Sequence, residues 1–147
     1  MNLTNLLLSP RGRIRRRDFW IGFAVVMISS FLIGLVPIVG PVLGFVLLWP
    51  QICIHAKRLH DMGWSAWIML VPLVVTVTGM TLIAMNGGAA LLTAPPAAAI
   101  AAAATPEMEA ARLYFAVTML FELTFLLWVG LSKGNPRDNR FGRAPLP

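Results

Sequence analysis

Apolar runs about as long as a bilayer core is thick, parted by short polar stretches, leave this chain few ways to fold. They cover residues 19–36, 38–54, 66–85 and 113–131. At 1.5 Å per residue the first rises roughly 27 Å, about one hydrocarbon thickness. The chain is 58% hydrophobic and only 12% charged, whereas soluble domains carry about 25% charged residues. The pattern predicts an all-α fold, a four-span transmembrane helical bundle forming one integral membrane domain over residues 1–147. The first run follows a basic segment, as in a signal peptide. It is too long for a signal-peptide core, and no Ala-x-Ala site follows it, so it reads as a retained anchor.

Prolines and glycines punctuate the runs. Pro37 and Pro41, with Gly40 between, predict a tight turn; Pro50 and Pro72 predict kinks. Trp64 and Trp67 mark an interfacial belt. Residues 86–112 hold Gly87-Gly88, Pro95-Pro96 and an alanine run to Ala104. Alanine contributes little to insertion and Pro95-Pro96 breaks a helix, so this stretch is expected to be an extracytoplasmic loop, partly helical, rather than a fifth span. Residues 132–147 form the tail. Ahead of the first run, Leu3, Leu6 and Leu7 fall on one helical face, which suits either a surface-lying helix or a frayed terminus.

Charge orders these pieces. The net charge is +6 and the pI near 11.1. With four spans, Arg11, Arg13, Arg15, Arg16, Arg17, Lys57, Arg58, Lys133, Arg137, Arg140 and Arg143 share one side, and Arg112 stands on the other beside Glu107 and Glu109. That asymmetry predicts both termini in the cytoplasm. The arginine arm reads as a topology signal with lipid contacts. No major-groove helix or stacking platform accompanies it, so no nucleic-acid partner is expected. Cys53 is the sole cysteine, which excludes an intrachain disulfide and reads as a small apolar residue.

The polar knot His55-Ala56-Lys57-Arg58-Leu59-His60-Asp61-Met62-Gly63-Trp64-Ser65 holds both histidines. Five residues apart on one helix, His55 and His60 diverge by about 140°. A metal needs three or four converging ligands, so no metal and no cofactor is expected. Asp61 can cap a following helix, with Gly63 turning the chain. Lys57 and Arg58 are expected at lipid phosphates, and Asp61 with His60 is expected to pair with the arginine arm and with tail groups such as Asn139. Arg11, Arg13, Arg16, Lys57, Arg58, His60, Asp61 and Asn139 are thus the candidates for a cytoplasmic clamp or head-group contact; no catalytic residue is assigned. Glu122, at the middle of the fourth run, is the intramembrane candidate. A charge there costs roughly 2.5–3.5 kcal/mol, so it serves either a relay or an interhelical hydrogen bond, with Thr118, Thr76, Thr78, Thr81, Ser29 and Ser30 in reach.

Three segments carry a resemblance: Arg11-Gly12-Arg13-x-x-Arg16-x-x-Phe19-Trp20, Lys57-Arg58-Leu59-His60-Asp61-x-Gly63-x-Ser65-x-Trp67, and Gly134-x-x-x-x-Asn139-Arg140-Phe141-Gly142. In this order they resemble the small bacterial inner-membrane family known as domain of unknown function 805, the YhaH-like family. The resemblance implies a four-helix membrane protein of the bacterial inner membrane and no established activity. Here Arg143-Ala144-Pro145 replaces the Pro-Asp-Pro usual after the last motif, and the Ala/Pro loop is longer than usual.

The resulting expectation is a non-enzymatic binding or structural protein whose cytoplasmic face contacts anionic lipid, a second copy or another membrane protein. Two alternatives stand beside it: a small transporter or proton-coupled channel using Glu122, and an enzyme on a lipid or phosphate head group using His60.

Overall fold

The computed structural model of the protein describes residues 3–36, 39–88 and 105–145. Among these are five α-helices: α1 Leu3–Leu8, α2 Arg16–Gly34, α3 Val39–Asp61, α4 Leu70–Ile83 and α5 Pro106–Leu131. A 3-10 turn, Ala66–Met69, leads into α4, and a π turn, Ala84–Gly88, extends it. The described residues contain no strand beyond an isolated bridge between Asn139 and Gly142 in the tail. The turn expected at Pro37 and the loop residues 89–104 lie outside the described residues.

Three helical stretches of the described residues are long and apolar enough to cross a membrane: Arg16–Gly34, Ala66–Asn86 and Pro106–Leu131. Their surfaces fit a lipid solvent. Phe31 is 68% exposed, Leu120 66% and Met80 63%, far more apolar surface than a soluble protein leaves to water. The described residues form two compact units, one of Met1–Met69 with Leu127–Pro147, the other of Leu70–Leu126.

In the first unit, α2 starts and α3 ends at the same polar cluster, so the two run antiparallel. Phe19, fully buried, sets its ring edge-on to His55 with centroids 5.0 Å apart and to Trp20 at 5.5 Å. Small residues permit the close approach: a Cβ on Gly22 would lie 3.0 Å from Ile54 and 3.3 Å from Leu6, and one on Gly130 would lie 2.5 Å from the Trp20 ring. Lipid tails give apolar helices no hydrophobic reason to associate, so packing of this kind holds them.

In the second unit, Thr76 of α4 meets Glu122 of α5, and a Cβ on Gly79 would lie 2.1 Å from the Thr118 hydroxyl. Positions that rise along one helix fall along the other, so α4 and α5 are also antiparallel.

Several boundaries differ from the sequence expectation. Gly40 belongs to the first turn of α3 rather than to a preceding turn; Pro41 lies in that first turn too, near the start of the second apolar run, where a proline forgoes a hydrogen bond the helix could not make. Pro72 likewise falls in the first turn of α4, where it needs no kink. Pro50 lies inside α3, and the helix continues past it through the knot to Asp61. Asp61 therefore ends a helix instead of capping the next one. α5 starts at Pro106, so the end of the expected loop is already helical.

Gly63 terminates α3. Its φ is +85°; the Trp64 amide donates to the Leu59 carbonyl at 2.9 Å and the Gly63 amide to His60 at 3.0 Å. This pair of bonds is a Schellman motif with glycine in its left-handed position. Gly63→Ala is expected to lower unfolding stability in detergent micelles by about 1 kcal/mol, with Gly63→Asn losing less, as measured by denaturant titration.

Candidate functional site

Three helices end near the knot, and each C-terminus leaves main-chain carbonyls that the helix cannot satisfy. A different buried cation answers each one. Lys57 of α3 is 2% exposed. Its ammonium donates to the Asn5 carbonyl, to Asn5 Oδ1 at 3.0 Å and to the Leu6 carbonyl at 3.4 Å, in the last turns of α1. Trp49 adds an indole N–H to the Leu8 carbonyl at 3.1 Å.

Arg58 is fully buried. Nε donates to the Val129 carbonyl at 3.1 Å and Nη2 to the Ser132 carbonyl, both at the end of α5. Arg16 donates to the same Ser132 carbonyl at 3.1 Å. Arg13 serves the end of α3 and the tail. Nη2 donates to Asn135 and, at 3.4 Å, to the Asp61 carbonyl; Nη1 donates to Arg137 at 2.8 Å and to Gly142 at 3.2 Å. Positive charge at a helix C-terminus is favoured by the helix dipole as well as by the hydrogen bonds.

Asp61 links two of these cations. Its Oδ1 accepts from Arg13 Nε at 3.1 Å and its Oδ2 from Arg58 Nη1. The side chains of Asp61, Arg13 and Arg58 are almost completely removed from solvent. A buried carboxylate is tolerable here because both oxygens are met by guanidinium groups. Gly134 makes the space: a Cβ there would lie 2.0 Å from Asp61 Oδ2.

The tail closes over this group. The Asn135 amide donates to the Asp61 carbonyl at 2.7 Å, and Asn139 Nδ2 donates to the His60 carbonyl at 2.9 Å. Asn139 also accepts from the Phe141 amide at 2.9 Å, which shapes the turn between the bridged residues Asn139 and Gly142. The Phe141 ring stacks on His60, centroids 4.0 Å apart and nearly parallel, and the Arg140 guanidinium lies 4.7 Å from the Phe141 ring centre. His60 Nδ1 lies 3.3 Å from the Gly12 carbonyl, so its hydrogen bond requires the proton on Nδ1.

Burial shapes the titration of these groups. It pulls Lys57 and Arg58 below their ordinary ranges, with the Asp61 carboxylate opposing the effect at Arg58. It also lowers His60, against the Gly12 hydrogen bond and together with the nearby Arg140 charge.

The structure thus gathers Arg13, Arg16, Arg58, His60, Asp61 and Asn139 at one place. Lys57 and Arg58 turn inward instead of outward to lipid phosphates, because helix-end carbonyls lacking intrahelical partners, with Asn5 Oδ1 for Lys57 and the Asp61 carboxylate for Arg58, accept from them. Lys57 and the exposed Arg11 line a crevice of about 360 Å³ with Asn5, Arg13 and Asp18. His55 is separate from His60: its Nδ1 meets the Gln51 carbonyl at 2.9 Å and its ring packs on Phe19. Among the described residues no group of His, Cys, Asp and Glu converges as metal ligands do. Trp64 and Trp67 do not fill the knot; they are 52% and 76% exposed, with Trp64 edge-on to Trp128 at 6.2 Å. Glu122 belongs to the second unit, where the Thr76 hydroxyl donates to its Oε1 at 2.8 Å. Sequence reasoning missed Trp49 and Asn135 and gave Gly134 only as a position of the third resemblance segment. Trp49, near the end of an apolar run, carried an interfacial signal; Asn135 acts through its main chain and carried none.

A helical fold with exposed apolar stretches and a buried ionic group in its first unit defines an integral membrane protein without a recognisable catalytic constellation among its described residues. Residues 7–143 match the family described as "Protein of unknown function (DUF805)", and the chain belongs to that family. It is similar to the "Inner membrane protein YhaH" of Escherichia coli strain K12, 28% identical over 52% of this chain and 73% of the relative. It is also similar to the "Uncharacterized protein YiiR" of the same strain, 42% identical over 48% of this chain and 54% of that relative. No solved structure matches the chain.

Two outcomes test this geometry. Asp61→Ala leaves the buried Arg58 charge without its carboxylate and is expected to cost about 3–5 kcal/mol in micelle unfolding, with faster tryptic cleavage at the exposed tail arginines; Asp61→Asn, which keeps hydrogen bonding, loses less. For His60, the folded-state value lies below the ordinary one, so the unfolded chain takes up the proton first. Its contribution is therefore fully present above about pH 6.5 and is lost as the pH falls through the folded-state value. Unfolding curves at about pH 7.5 and 5.5 should show a smaller acid loss in His60→Gln than in the unmodified chain.

Proposed function

We propose that the protein is a four-span inner-membrane protein with both termini in the cytoplasm, and that it acts by binding anionic lipid head groups through its basic cytoplasmic face, without catalysing a reaction. The second run, on α3, supplies the remaining span. The observation that carries this reading is the division among the cations. Arg13, Lys57 and Arg58 are withdrawn into the fold, while Arg15, Arg17, Lys133, Arg137 and Arg143 stay exposed around them. Cations left in water beside an anionic leaflet each contribute about 1 kcal/mol of attraction. The buried group holds the arm and tail that present them.

His60, stacked on Phe141 and bonded to Gly12, serves this arrangement as a tail-docking group. Glu122, bonded to Thr76, serves α4–α5 packing. Purification in native-lipid nanodiscs followed by lipid mass spectrometry tests the proposal. The unmodified protein should enrich anionic over zwitterionic lipid relative to the source membrane. A variant with Arg15, Arg17 and Arg137 changed to Gln should lose that enrichment several-fold while unfolding normally. Equal enrichment in both removes the reading.

A further inference from the structure

We infer that α1 and the arginine arm form a re-entrant wedge, with α1 dipping end-on into the bilayer to the acyl boundary rather than lying flat on its surface. The occupant of its exposed apolar face is membrane lipid. Depth can be read from the neighbours of each residue. Leu6 is buried and lies where a Cβ on Gly22 would touch it. Gly22 is well inside the span Arg16–Gly34, about 5 Å beyond Phe19 along the helix. Leu8, two residues later, is reached by Trp49, whereas Asn5 and Leu6 are reached by Lys57. Trp49 lies about 12 Å further from the Asp61 end of α3 than Lys57 does. α1 therefore descends antiparallel to α3, its C-terminus deepest.

The chain then returns. Gly12 meets His60, and Arg13 meets Asp61, at the polar end of α3. Ile14, buried, extends its carbonyl toward Arg58 at 3.5 Å. Leu8 to Arg13 thus spans from the Trp49 level to the Asp61 level.

A helix end cannot enter an apolar medium with open carbonyls. In α1 the Asn5, Leu6 and Leu8 carbonyls are all bonded, by Lys57 and by Trp49. This also explains why Lys57 is buried rather than placed at the surface. The face that α1 leaves uncovered is apolar: Leu3 is 51% and Leu8 55% exposed, next to Trp49 at 49%. Ile52, one turn along α3 from Trp49, is exposed as well, so the lipid that covers this side of α3 covers α1 too. The inference does not depend on which lipid the basic face prefers.

Nitroxide labels at Leu3→Cys, Leu8→Cys and, as an aqueous reference, Arg15→Cys test it in a Cys53→Ala background, with the full chain in phosphatidylcholine vesicles. All three positions are exposed. Collision with oxygen is compared with collision with a neutral nickel chelate. The oxygen-to-nickel ratio should be several-fold higher at Leu8 than at Arg15, with Leu3 between. A Leu8 label as open to nickel as the Arg15 label overturns the wedge, and equal depth at Leu3 and Leu8 overturns the end-on descent in favour of a surface-lying helix. Loss of the basic-face lipid enrichment in the Arg→Gln variant leaves the difference between the Leu3 and Leu8 labels unchanged, so the two proposals fail separately.

Discussion

The carboxylate of Asp61, held between Arg13 and Arg58, is the contact on which the rest of the first unit depends. Two guanidinium groups and one carboxylate would be costly to bury in isolation. Here the surplus positive charge faces the C-terminal ends of α3 and α5, whose last carbonyls carry partial negative charge and lack intrahelical partners. The ions satisfy the helix ends, and the helix ends satisfy the ions. Lys57 repeats the device on α1. Because arm, knot and tail each supply part of the group, none can leave without stranding a buried charge in the others.

The second unit solves a different problem with different means. Between α4 and α5 the described contacts are a threonine hydroxyl on a carboxyl oxygen, Thr76 to Glu122, and the close approach of Gly79 to Thr118. Lipid competes for apolar contacts but not for hydrogen bonds, so this polar pair and the missing side chain of Gly79 help to set the register of the two helices. Glu122 looks like a site when read alone in an apolar run. In the structure its Oε1 accepts from the Thr76 hydroxyl and so ties α5 to α4.

Functional meaning follows from which cations the fold consumes. A basic sequence near a membrane invites the view that every arginine and lysine meets lipid. The structure withdraws Lys57 and Arg58 of the most distinctive motif, together with Arg13, and leaves Arg15, Arg17, Lys133, Arg137 and Arg143 outside. The cations at the centre of the motifs thus belong, in this chain, to the internal scaffold. The exposed arginines of arm and tail carry the proposed contact with the leaflet, on a platform whose rigidity comes from the buried group.

What the sequence determined by itself was the membrane class, the helical content and the places of three stretches long and apolar enough to cross a membrane, because hydropathy is a sum over neighbouring residues and needs no tertiary information. Gly63 as a chain-turning residue was legible for the same local reason. The continuation of α3 through the knot to Asp61 was not: the apolar run ends at Ile54, and the carbonyls at the helix end found donors in Asn135, Asn139 and Arg13, residues remote in the chain. The fate of Lys57 and Arg58 was likewise undecided. Their acceptors are main-chain carbonyls, which every residue possesses and no sequence pattern distinguishes. Only the tertiary structure, by bringing the ends of α1, α3 and α5 to these cations, decided that they turn inward.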